Sequence, residues 1–116
     1  MGEMNRAYER KGAKVVVSLT PIERDGRIGT TAPGVLPDLS RGGARLTVRR
    51  MLYAGTLAVL EIPGADAPFR RVVEIRHVGY EQGVGTQLGL MFRTDEKAAA
   101  LLGRYIENMS AEQGAA

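Results

Sequence analysis

The chain has no cysteine, no tryptophan and a single histidine among its 116 residues. Without thiols there is neither a disulfide framework nor a thiolate metal site, and one imidazole cannot build a zinc cage. Any Ser-His-Asp chemistry would rest on His77 alone, and no partner pattern surrounds it, so His77 reads as a plain surface histidine and an enzyme is not expected. Aromatics are scarce, two Phe and four Tyr. That disfavours a single-stranded nucleic-acid barrel, which needs stacking platforms. No window approaches the roughly 18 apolar residues of a membrane helix. The polar start Met1-Gly2-Glu3-Met4-Asn5-Arg6 lacks the apolar stretch of a signal peptide, so a cytoplasmic domain with no membrane insertion is expected.

What remains is ordinary in amount: 44% hydrophobic and 25% charged residues, enough for one domain with a buried core. The charge is unevenly placed. Fourteen of the sixteen basic residues precede residue 95, against nine of the thirteen acidic ones, so the body is positive and the end acidic. Thirteen of the sixteen are Arg. Guanidinium makes planar, bidentate contacts to phosphate and stacks on bases, although high-GC coding also favours Arg.

Residues 1–12 are polar and read as a flexible arm carrying Arg6, Arg10 and Lys11. From residue 13 the pattern becomes β. Ala13 to Leu19 is a β-branched run, and Asp25-Gly26 is a hairpin signal that predicts a returning strand over Arg27 to Thr31. Val35 to Ser40 reads as an edge strand at best, because Pro37 cannot donate to a ladder. Ala44, Leu46 and Val48 alternate with Arg45, Thr47 and Arg49, and further strands are predicted over Thr56–Ile62, Phe69–Val78 and Gly85–Phe92. Arg49-Arg50 and Arg70-Arg71 read as solvated charges. A helix is predicted over 95–109, capped by Thr94, with Ala98, Leu101, Leu102, Tyr105, Ile106 and Met109 on one face. Residues 110–116 read as a tail. Short strands with tight turns and one terminal helix predict a mainly β domain over 13–109, a small closed or nearly closed barrel.

Two motifs can carry binding. Arg6-Ala7-Tyr8-Glu9-Arg10 puts two guanidiniums on one face, helical or extended, a clamp for a phosphodiester or a base. In Asp38-Leu39-Ser40-Arg41-Gly42-Gly43, the Asp38 carboxylate can accept from a guanine edge and Ser40 can add a hydroxyl, while the glycines permit close backbone approach. The same residues would also make an ordinary turn.

In this order the motifs resemble the signature of PilZ domains, and the resemblance extends through Ala44-Arg45-Leu46, Val73-Glu74-Ile75-Arg76 and Leu88-Gly89-Leu90-Met91-Phe92 to cover residues 5–109. It implies a six-stranded antiparallel β-barrel of the split-barrel kind with a C-terminal helix, binding the bacterial second messenger cyclic di-GMP with no cofactor or metal. By that resemblance Arg6 and Arg10 would grip phosphates and guanine faces, Asp38 and Ser40 would read guanine, and Gly43 would let the backbone come close. Arg41, Gly42 and Arg45 are additional candidates. The arm would order over the barrel on binding and signal to an effector protein. Asn5 stands where many members carry a third Arg, a position tied in the family to one or two stacked nucleotides. The alternative is a PilZ-like adaptor that binds protein and no nucleotide.

Overall fold

The β-branched runs pair into six antiparallel strands that close on themselves. The computed structural model describes residues 15–39 and 41–115, without the side chains of Asp38 and of 110–115. Among the described residues the elements are, in chain order, β1 (Val15–Ile22), β2 (Ala32–Leu39), β3 (Gly43–Val48), β4 (Leu57–Ile62), β5 (Phe69–Glu81), β6 (Gly85–Arg93) and the helix α1 (Glu96–Ala115). The barrel order is β1-β2-β3-β6-β5-β4. β1 closes it by pairing at both ends, Val15 to Leu19 with β2 and Ser18 to Ile22 with β4.

Alternation sorts the apolar side chains into two clusters. One fills the barrel with Val17, Leu19, Leu46, Val48, Leu60, Val73, Ile75, Leu88 and Leu90. The other lies outside β1, β4 and β5, where Ile22, Val59 and Val72 meet Ala98, Leu101, Leu102, Tyr105 and Met109 of α1. β4 is therefore buried on both faces at Ala58-Val59-Leu60. The helix acts as core cover through these five residues, whereas Ile106, predicted on the same face, is exposed.

Four expectations need correction. The Asp25-Gly26 turn forms, with Gly26 at φ 89°, but the return over 27–31 is no strand. Only Ile28 bridges back to Ile22, and the chain pairs again from Ala32. β2 is not an edge. Pro37 lies past the end of the β1 ladder at Leu36 and inside the slip in the β2–β3 register between Val35 and Asp38, so neither neighbour asks for its missing N–H. Asp95, not Thr94, stands immediately before the helix, its carbonyl accepting from Ala99 N–H at 3.0 Å, and α1 continues beyond 109 to Ala115. Finally, Arg70 is no free surface charge: half-buried, its Nε donates to Glu61 Oε1 at 2.9 Å.

Arg93 ties the helix start to the sheet. Its guanidinium pairs with Glu74 at 2.9 Å and with Asp95 at 3.1 Å. The hydrogen bond from Arg93 holds the Asp95 carboxyl below its ordinary value. A depressed folded-state pKa contributes stability above the unfolded pKa, and that contribution is lost as pH falls through the folded value. Asp95→Asn is therefore expected to lower the thermal midpoint at neutral pH slightly, as befits one exposed pair. In melts across a pH series the difference from the parent should vanish in acid below the carboxylate range; a difference that persists there would remove the ion pair as its cause.

Candidate ligand-binding site

β2 ends at Leu39 and β3 starts at Gly43, so the connection between them is short. Arg41 and Gly42 form an exposed bend and Gly43 starts β3 buried. Gly42 anchors the bend through its carbonyl, which accepts from Phe92 N–H at 2.9 Å. Gly43 sits opposite Met91 so closely that a Cβ would run into the carbonyl oxygen of Leu90. Both glycines are expected to permit close approach of a ligand. Gly43 uses its bareness first against β6.

Register then aligns residues that are far apart in sequence. Asp38 of β2 faces Arg45 of β3, Arg45 faces Gly89 of β6, and Gly89 faces His77 of β5. These four residues lie abreast across four strands. Arg45 and His77 are exposed. Gly89 carries no side chain, and the His77 ring occupies the space: a Cβ on Gly89 would stand 3.3 Å from both Cβ and Cδ2 of His77.

Two surface hollows meet on this row. One of about 350 Å³ is lined by Gly42, Gly43, Arg45, Arg76, His77, Gly89 and Met91. The other, of about 890 Å³, is lined by Pro37, Arg45, Thr47, His77, Gly79, Gln87 and Gly89. Arg76 is exposed and its Nη1 donates to Met91 Sδ at 3.6 Å. With Arg41 and Arg45 it makes this rim positive, and planar guanidiniums suit phosphate and purine faces. A further hollow of about 940 Å³ continues past Pro37 and Thr47 toward Val16, Val35 and Val84 and is more apolar.

The start of β1 lies close to this row: Val15, its first residue, is opposite Leu36, which precedes Pro37 and Asp38 in β2. Arg10 is five residues upstream and Arg6 nine, an extended reach of roughly 17 and 30 Å. Arg6, Arg10 and Ser40 lie outside the described residues, as does the Asp38 side chain. Among the described residues, no group of three or more His, Asp or Glu could hold a metal.

Sequence reasoning missed three members of this surface: Gly89, His77 and Arg76. A glycine inside a strand is a recognised sign of close approach, and strict alternation turns Gln87, Gly89 and Met91 outward. The slip in the β5–β6 register between Ile75 and His77, which brings His77 over Gly89, had no signal in the sequence.

Comparison with curated proteins gives no match. The family model described as PilZ domain matches residues 4–108. That span includes both motifs, every strand of the closed barrel and α1 up to Asn108, and on it the chain belongs to the PilZ domain family.

Proposed function

We propose that this chain is a cytoplasmic receptor for cyclic di-GMP that closes its N-terminal arm, residues 1–12, over the barrel when the nucleotide binds and presents the new surface to an effector protein. PilZ domains are, as a family, cyclic di-GMP-binding domains without catalysis. Arg6 and Arg10 grip the phosphates and stack on guanine. Asp38 and Ser40 read the guanine edge, Gly43 lets the backbone approach, and Arg41, Gly42 and Arg45 complete the rim. The observation that supports the reading is a register: β1 begins at Val15 opposite Leu36, two residues before Asp38, and Asp38 starts the row through Arg45 and Gly89.

The chemistry balances. A doubly anionic ring takes charge-assisted hydrogen bonds, each contributing about 1.5–3 kcal/mol. Four or five of them, less the cost of ordering the arm, reach about −8 kcal/mol, a micromolar complex. Arm closure is an order–disorder switch, because ligand and arm hold each other.

Calorimetric titration of the whole chain with cyclic di-GMP and with cyclic di-AMP tests this. Micromolar or tighter binding of the first is expected, with the second at least about 10-fold weaker, since adenine lacks the N–H edge that a carboxylate reads. Asp38→Ala should shrink that preference by roughly 5- to 100-fold, the range of one lost bidentate contact. Absence of heat with cyclic di-GMP overturns the receptor reading; equal affinity for the two nucleotides in the parent overturns the role of Asp38.

A further inference from the structure

β5 runs past its neighbour. β4 accompanies it only to Glu74, opposite Leu57. The loop before β4 adds two bonds at Ile75, whose N–H donates to Thr56 O at 2.9 Å and whose carbonyl accepts from Gly55 N–H at 2.7 Å. From Arg76 to Glu81 every residue is exposed. Here β5 pairs with β6 alone, His77 to Glu81 against Gly89 to Gly85, and among the described residues no strand lies along its other side. Such an edge offers unpaired N–H and C=O groups to another chain.

The direction of those groups follows from the register. Ile75 turns its backbone groups toward the β4 side, so its opposition to Leu90 is a non-hydrogen-bonded pair. Alternating from there across the slip, His77, Gly79 and Glu81 bond to β6, while Val78 and Tyr80 turn their N–H and C=O outward. Val78 and Tyr80, 38% and 71% exposed, share one face of the strand. His77, Gly79 and Glu81 share the other.

We propose that this edge pairs with the same edge of a second copy of the chain, antiparallel, about a two-fold axis at Gly79. Self-complementarity selects this occupant. With the axis at Gly79, Val78 falls opposite Tyr80, so their outward groups exchange backbone hydrogen bonds and their apolar side chains pack. On the opposite face His77 falls against Glu81, imidazole against carboxylate. At the axis the two copies of Gly79 form a non-hydrogen-bonded pair with Cα atoms about 4.5 Å apart. A Cβ at Gly79 would meet nothing within 4 Å in the single chain. Moving the axis to Val78 or to Tyr80 breaks the His77–Glu81 pair. A contact of this size gives a weak, concentration-dependent dimer; it rests on nothing in the nucleotide reading, although His77 and Gly79 also line the hollow of about 890 Å³.

The absence of cysteine makes the test clean. Gly79→Cys places a lone thiol on the axis, within disulfide range of its copy. Under mild oxidation it is expected to form the linked dimer at least about 10-fold faster than Gly103→Cys, an exposed helix position with equally open surroundings. Adding Tyr80→Pro removes one outward N–H without touching the bonds to β6 and should bring the rate down to that of the helix control. Thermal melts report folding, and Glu81→Lys replaces Tyr80→Pro if the latter melts early. Sedimentation of the parent from about 10 μM to about 1 mM should show a monomer–dimer equilibrium that either variant weakens. A rate equal to the helix control, a parent monomeric throughout, or a dimer undiminished by a folded edge variant each overturns the proposal.

Discussion

Replacing Arg6 and Arg10 together by Ala is expected to lower the affinity for cyclic di-GMP by at least about 100-fold while leaving the thermal midpoint of the free protein nearly where it was. The affinity loss follows from charge-assisted bonds of about 1.5–3 kcal/mol at each guanidinium, two of which exceed the 2.7 kcal/mol of a hundredfold change. Lysine separates charge from shape. Arg6→Lys and Arg10→Lys keep the positive charge but lose the planar fork and the stacking surface, so each should recover only part of the affinity. Salt gives a further readout, because exposed charge pairs are screened and a nucleotide held through phosphate loosens as ionic strength rises. The stability expectation has a different origin. Among the described residues both apolar clusters close between Val15 and Met109, and the arm motif precedes them in the chain. Calorimetry with melts on the same samples decides the matter. Unchanged affinity in the double variant removes the clamp; a collapse of the midpoint instead assigns the two arginines to the fold.

The fold was legible where one strand face is buried and alternation is strict. Leu46 and Val48 against Arg45 and Thr47 placed β3, and the three- and four-residue spacing of Ala98, Leu101, Leu102 and Tyr105 placed the helix face. It was least legible where tertiary pairing overrides local chemistry. Pro37 made β2 look like an edge, yet barrel closure needs a strand there, and the slip at Pro37 gives it a position whose N–H no ladder requires. The Asp25-Gly26 turn promised a hairpin of ordinary length, but Ile28 pairs once and the chain crosses to Ala32 before β2 begins. The candidate site divides in the same way. Arg6, Arg10, Asp38, Ser40 and Gly43 stand at motif spacings that can be read along the chain. Gly89 and His77 join Asp38 and Arg45 only through register across β3, β6 and β5, and register is a property of pairs of strands that no single strand's sequence carries.

Two neighbouring glycines should behave as opposites. Gly43→Ala is expected to destabilise the domain by about 3 kcal/mol, roughly 10 °C in thermal midpoint, whereas Gly42→Ala should stay within a few tenths of a kcal/mol of the parent. The contrast rests on what a methyl group meets. At Gly42 there is nothing within 4 Å, and its φ is not in the left-handed region, so Ala enters without strain and restricts the unfolded chain slightly. At Gly43 the methyl meets the carbonyl oxygen of Leu90, a backbone atom in a paired strand, which cannot swing aside as a long side chain would. Relief requires β3 and β6 to part at the Gly43–Met91 position, two residues from the Arg45–Gly89 step of the row. The same substitution should therefore weaken cyclic di-GMP binding even at temperatures where the variant remains folded, by roughly 10-fold or more, because ligand groups held on two strands tolerate little relative shift. Circular-dichroism melts of both variants, with calorimetry at a temperature well below each midpoint, make the comparison. Equal melting of the Gly42 and Gly43 variants would contradict the close β3–β6 packing, while a destabilised Gly43→Ala that binds nucleotide as tightly as the parent would detach that packing from the ligand site.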